Sequence, residues 1–207
     1  MIEQLLRFFL AFLVVVEPIS LIPVFVGLTM HHSAPQRRHM AQRAVVIAGI
    51  ILTVFAIVGG PFLRLMHISL ESFRIFGGLL LFLIALEMVF ARPSGTRTSS
   101  PEEAESRERA DISVFPLAFP FIAGPGALAT ILLAFGSTGM RPLLFAGMLL
   151  CVLVVLLLTL AVLYLAAPAM RVLGVTGTNV INRLSGVVLG ALAVQFIVDG
   201  LRGSFGA

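Results

Sequence analysis

The chain has 207 residues, of which 59% are hydrophobic and 12% are charged, and its mean hydropathy is +1.09. A soluble protein of this length could not bury so much apolar surface, so the composition excludes a soluble globular protein and favours an integral membrane protein. The formal charge of +4 comes mainly from arginines at the ends of apolar segments, and we expect no nucleic-acid partner.

Hydropathy predicts six membrane spans, each close to the roughly 20 residues that cross a bilayer. They cover residues 5–30, 44–63, 73–91, 112–136, 142–167 and 184–203. The polar, charged stretch between the third and fourth spans predicts a solvated linker at residues 92–110. The predicted organisation is therefore three spans in residues 1–91, the linker, and three spans in residues 111–207.

The first span is interrupted by Glu17, Pro18 and Pro23. Each proline lacks an N–H and frees a carbonyl, which a membrane protein tolerates only where protein or water satisfies it. Glu17 lies 12 residues from both ends of the stretch 5–29, about 18 Å, and so near the midplane. An acid at that depth is a functional candidate, as a proton carrier or polar ligand. The alternative is a protonated carboxyl that links structural elements by a hydrogen bond.

The fourth span carries a second interruption at Gly124–Gly126. Pro125 follows Pro18 by 107 positions, and the segment starting at Arg183 follows the similar segment starting at Arg74 by 109. These offsets predict one three-span unit that occurs twice and, because three is odd, enters the membrane in opposite directions. The predicted fold is an all-α membrane protein of six transmembrane helices in two inverted repeats, with helices 1 and 4 broken or re-entrant.

Matching interruptions in two halves of a membrane protein are typical of the substrate site of a transporter. We predict that Glu17, Ser20 and the backbone of Gly124–Gly126 line one water-accessible cavity near the midplane. The full predicted set of substrate-binding residues is Glu17, Pro18, Ser20, Pro23, Gly124, Pro125, Gly126 and Gln195. For Gln195, a hydrogen bond between helices is the alternative. We predict no catalytic residue, metal site or cofactor.

We assign structural roles to the polar residues near the span ends and to the glycines of the third and sixth spans. Glu87 and Asp199 lie near span ends, where interfacial water would reach them, and Arg74 is expected to be an interfacial anchor. Gly77-Gly78 in the third span and the GxxxG motif at 186–190 in the sixth predict close helix packing within the monomer.

Arginine counts predict the orientation. With six crossings, five arginines lie on one side of the membrane and nine on the other. The side with nine should face the cytoplasm, so both termini should face the periplasm or the cell exterior.

Three segments resemble the MarC family of bacterial integral membrane proteins. "EPISLIPVFVGLT" from Glu17 to Thr29 resembles the family signature "DPxGLIPVFxxLT". "FRIFGGLLLFLIALEMVF" from Phe73 resembles the third span of the family, and "DISVFPLAFPFIAGPGALATI" from Asp111 resembles the fourth. The resemblance implies a six-span protein of the bacterial inner (plasma) membrane, grouped with the LysE superfamily of exporters. The family commonly has Asp or Asn where this chain has Glu17, which favours a polar ligand over a proton carrier.

The predicted function is that of a secondary transporter or exporter of a small metabolite or ion. No Walker motif is present, so ATP hydrolysis would have to come from a partner. The expected partners are the lipid bilayer and the solute, and the sequence allows a homo-oligomer. The alternative is a non-transporting scaffold or signalling protein that acts through the linker 92–110. The sequence has no HExxH, no GxSxG and no paired acids at one depth, and it therefore predicts no enzyme.

Overall fold

The computed structural model describes residues 1–90, 111–136 and 141–206, and these ranges are helical without a strand. The predicted linker at 92–110 lies outside the described residues. The helices are α1 (Ile2–Val16), α2 (Leu21–Leu28), α3 (Ala34–Leu65), α4 (Leu70–Phe90), α5 (Pro125–Gly136), α6 (Pro142–Tyr164) and α7 (Ala166–Phe205). A 3-10 turn at Pro18–Ser20 joins α1 to α2, and an irregular segment at Ser113–Ile122, here called the proline segment, precedes α5.

Five stretches of the described chain are long and apolar enough to cross a membrane, and the proline segment with α5 makes a sixth that is bent by 56°. The predicted all-α protein with several membrane spans is thereby confirmed. The helix ends differ from the hydropathy limits because hydropathy detects only the part within the bilayer. Thus α3 begins ten residues before the predicted span, where Ser33 and Gln36 form a capping box.

The first interruption is a sharp break at one residue. α1 ends at Val16 because Glu17 adopts a left-handed backbone, with φ 54° and ψ 61°. Pro18 then starts the 3-10 turn. Pro23 lies in the first turn of α2, where its missing N–H would have no helical partner in any case.

The second interruption is spread over the ten residues of the proline segment. Phe115 and Phe119 have extended backbones, and the peptide bonds that follow them to Pro116 and Pro120 are cis. The hydrogen bonds run over five residues, as from the Ala123 N–H to the Ala118 carbonyl at 2.8 Å. Such wide turns frequently mark functional sites.

Two long helices, α4 and α7, pack antiparallel along their glycines. Gly78 faces Ala193 and Ile197, while Gly186 faces Ala85 and Met88. A Cβ at Gly78 would lie 2.8 Å from the Ala193 carbonyl oxygen, and a Cβ at Gly186 would lie 3.1 Å from the Ala85 carbonyl oxygen. The prediction of close glycine packing within the monomer is therefore confirmed.

Most other contacts between elements join the two halves of the chain. α1 packs against α6, and the proline segment packs against α3. α2 packs against α7, and α5 packs against α4. α3 also packs against α5 and α6, and α1 packs against α5, so these contacts bring both halves of the chain into one bundle.

Candidate functional site

The break at Glu17 combines burial with an unusual backbone. The residue is only 5% exposed, although it is an acid in an apolar helix. A left-handed conformation is uncommon outside glycine, asparagine and aspartate, and it costs about 1–2 kcal/mol in other residues. Such conformations persist only where the surrounding structure imposes them, and they cluster at functional sites. The sequence indicated the break but not this conformation.

Ser20 ties the first break to the last helix. Its hydroxyl donates a hydrogen bond to the Asn182 side-chain oxygen at 2.8 Å, across 162 positions of sequence. The sequence did not point to Asn182, because it lies just before the predicted span 184–203 in a stretch that also carries Thr178 and Asn179. The link makes α7 part of the first break.

Close packing defines the second break. A Cβ on Gly124 would lie 2.2 Å from the Pro120 carbonyl oxygen, so the turn admits only glycine. A Cβ on Gly126 would lie 2.6 Å from Leu81 of α4 and 3.4 Å from Val15 of α1. The start of α5 therefore packs directly against the end of α1.

A cavity of about 10 Å³, here called the small cavity, lies at this second break. Its lining combines the backbone turn with apolar side chains, namely Val15, Ile84, Pro120, Phe121, Ile122, Gly124, Pro125, Gly126 and Ala127. Its volume is near the minimum that holds one water molecule. The first helix contributes Val15, two residues before Glu17, to this lining.

A much larger cavity of about 620 Å³, here called the open cavity, lies among α1, α4, α5, α6 and α7. Most of its lining is apolar, and its polar residues are Arg7, Arg74, Thr130, Gln195 and Asp199. The Gln195 amide donates to the Asp199 carboxylate at 2.8 Å. The Thr130 hydroxyl donates to the carbonyl of Gly126, one turn earlier in α5, at 2.9 Å.

The structure therefore brings some predicted site residues together and separates others. Val15 and Gly126 connect the two breaks, and Gly124–Gly126 line the small cavity. Gln195 lines the open cavity, and Ser20 faces Asn182. Pro18 is buried, and Pro23 is partly buried in α2. A single cavity shared by Glu17, Ser20 and the second break stays a prediction.

The start of the second half is fixed by Asp111. Its carboxylate accepts hydrogen bonds from the Ser113 hydroxyl and from the Ser113 N–H, the latter at 2.9 Å, and it forms an ion pair with Arg43 of α3. The Ser113 side chain, more than the nearby Arg43 charge, lowers the pKa of Asp111 below its ordinary value of 3.8, against a smaller opposing effect of burial. The pair attaches the proline segment to α3.

Comparison with known proteins gives a consistent result. The chain matches the profile described as "MarC family integral membrane protein" over residues 2–205. It is 39% identical to a UPF0056 membrane protein of Aquifex aeolicus, over 94% of this chain and 90% of the relative. It is 34% identical to the UPF0056 membrane protein YvbG of Bacillus subtilis, over 99% of this chain and 97% of the relative.

A further relative is the UPF0056 membrane protein YhcE of Escherichia coli, which is 34% identical over 96% of this chain and 92% of its own length. None of these three names states a substrate or an activity. No solved structure matches the chain significantly.

Proposed function

The chain belongs to the MarC family of integral membrane proteins, and we propose that it is a secondary transporter or exporter of a small metabolite or ion in the bacterial inner membrane. The observation that carries this proposal is the contact between two interrupted spans. The end of α1 and the start of α5 pack together at Val15 and Gly126. Interrupted helices leave backbone polar groups that would cost several kcal/mol each in lipid, and a transport site gives those groups a polar environment.

The open cavity supports a route to these breaks. Arg74, Gln195 and Asp199 supply polar groups in its lining. Thr130 lies within one hydrogen bond of the Gly126 carbonyl. A solute would enter this cavity and move to the backbone of the two breaks, where Glu17 and Ser20 would bind it.

The proposed transporter consists of two inverted repeats, residues 1–91 and 111–207. Four contacts support this organisation. In the proposed repeats, the contact of α1 with α6 corresponds to that of the proline segment with α3, and the contact of α2 with α7 corresponds to that of α5 with α4. Proline opens both second spans, at Pro35 in α3 and Pro142 in α6, 107 positions apart. Rocking of one repeat against the other would expose the breaks to each side in turn.

The proposed orientation places both termini outside the cytoplasm. The bias of nine arginines against five supports it. Arg7 and Arg74, which both belong to the predicted outer side, line the open cavity together. In the proposed orientation the open cavity therefore faces outward.

A flux assay tests the function. The purified protein, reconstituted into proteoliposomes, is screened with radiolabelled small metabolites and inorganic ions, with and without a pH gradient. For a transported solute, we expect Glu17→Leu to abolish uptake and Glu17→Asn to retain part of it, because a neutral polar ligand can replace the carboxyl. Glu3→Leu is the control, since Glu3 forms an exposed ion pair with Arg7 on the same helix.

Unchanged uptake by a folded Glu17→Leu protein would rule out the proposed site. Absence of protein-dependent flux for every solute in the panel would count against transport itself.

A further inference from the structure

The two cavities differ about sixtyfold in volume, 620 Å³ against 10 Å³, although both are lined by residues of α1, α4 and α5. In a protein made of two similar halves, each cavity should have a counterpart built from the equivalent residues of the other half. The register between the halves decides which residues those are.

Contacts between α4 and α7 fix the register of the third spans. Gly78 packs against Ala193 and Ile197, and Gly186 packs against Ala85 and Val89. Adding 108 to 78 gives 186, while subtracting 108 from 193 and 197 gives 85 and 89. The two contacts are therefore related by an offset of 108, one less than the 109 that the segments at Arg74 and Arg183 indicate. In the interrupted spans, Pro18 and Pro125 give an offset of 107.

This register relates two residues of the open cavity to two residues of the small cavity. Leu192 of the open cavity corresponds to Ile84, and Val14 corresponds to Phe121. Both counterparts line the small cavity. Gln195 corresponds to Glu87, one turn further along α4.

Burial shows that the counterpart positions are packed. Leu10 in the open cavity is 51% exposed, and Leu192 is partly buried. By contrast, Ile84 is 5% exposed and Leu117, the counterpart of Leu10, is fully buried. Equivalent residues thus line space in one half and are tightly packed in the other.

We propose that the small cavity is the closed form of a second substrate chamber, which opens to the opposite membrane face and is lined by Ile84, Phe121 and Glu87. The open cavity is the first chamber, and the two chambers alternate. This inference rests on the proposed transport function and adds its second binding surface. In the second chamber Glu87 takes the place that Gln195 has in the first.

Packing explains why only one chamber is open at a time. Gly126 holds α5 against Leu81 and Ile84 of α4, with no room for a Cβ beside Leu81. The second chamber opens when α5 moves away from Ile84 toward the open cavity, which Thr130 of the same helix lines. One movement of α5 therefore closes the first chamber and opens the second.

Cysteine accessibility tests the inference without any substrate. The native Cys151 is replaced by alanine, and single reporters are placed at the matched positions Leu192→Cys and Ile84→Cys. Labelling by an impermeant maleimide is measured from each side in intact cells and inside-out vesicles. Ala11→Phe then fills the open cavity, and Ala191→Phe, on the exposed face of α7, is the control.

We expect Leu192→Cys to be labelled from the arginine-poor side and Ile84→Cys to be labelled weakly, from the opposite side. Ala11→Phe should reduce the first rate and raise the second about tenfold, since a minor state populated at 10% or less becomes the major one. Ala191→Phe should change neither rate.

If the Ile84→Cys rate stays unchanged while Ala11→Phe blocks Leu192→Cys, the alternating second chamber is wrong. That result would leave the flux assay, and with it the transport proposal, unaffected. If Ala11→Phe changes both labelling rates as expected but no solute is transported in the flux assay, the transport proposal is contradicted and the two chambers are not.

Discussion

The two interrupted spans reach the same position in the fold by different means. In the first span, one buried residue, Glu17, turns the chain through a left-handed backbone, and the helix resumes within four residues. In the second, the ten-residue proline segment replaces the helix, and Gly124 closes the turn against the Pro120 carbonyl. The first break carries an acid in a disfavoured conformation, and the second consists of backbone and small residues. The first break therefore provides a buried polar side chain, and the second provides close approach of the backbone.

The largest expected effect is at Gly124. In Gly124→Ala the new Cβ would lie 2.2 Å from the Pro120 carbonyl oxygen, and no side-chain movement relieves that contact. We therefore expect the free energy of unfolding to fall by about 1–3 kcal/mol or more, with a large fall in Tm. Gly27→Ala in α2 is the matched control, because nothing lies within 4 Å of its Cβ position and alanine favours a helix interior. Thermal unfolding in detergent measures both. Equal melting temperatures would show that the second break does not depend on close approach.

A smaller effect separates the backbone of Glu17 from its side chain. Asparagine tolerates the left-handed region and valine does not, so Glu17→Asn should be more stable than Glu17→Val by about 1–2 kcal/mol. Both changes remove the carboxyl, so their difference reports mainly on the backbone and on side-chain size. Denaturant or thermal unfolding of the two variants measures it. Equal stabilities would mean that the first break does not require this conformation.

The smallest effect concerns the start of the proline segment. Because the folded state lowers the pKa of Asp111 below 3.8, its contribution to stability is complete above that pH and is lost as the pH falls through the lowered value. The group is largely exposed, so we expect about 0.5 kcal/mol or less. Asp111→Asn should therefore reduce stability slightly at pH 7 and flatten the decline below pH 4. An unchanged pH profile would exclude this role.

The sequence predicted the features that depend on composition and on backbone chemistry. Apolar runs gave the spans, Pro18 and Pro125 gave the breaks, and the glycines of the third and sixth spans gave the packing of α4 against α7. The spans and the breaks depend on local sequence, because apolar runs favour a membrane helix and proline interrupts one. The helix packing depends on glycines, which allow a close approach that larger residues would prevent.

Features that depend on distant contacts were not predictable in the same way. The bond from Ser20 to Asn182 joins residues that only the folded chain brings together. The pairing of Asp111 with Arg43 depends on the proline segment packing on α3. The unequal volumes of the two cavities depend on how the helices pack, which the sequence does not show.

In the proposed transporter the two breaks form one moving site. The most direct test is a reversible cross-link between Val15→Cys and Ala127→Cys in a Cys151→Ala background, because both positions line the small cavity. We predict that uptake of a transported solute into proteoliposomes is lost when oxidation forms the cross-link and returns on reduction, while each single variant gives the same uptake before and after oxidation. Full uptake by the cross-linked protein would contradict the account.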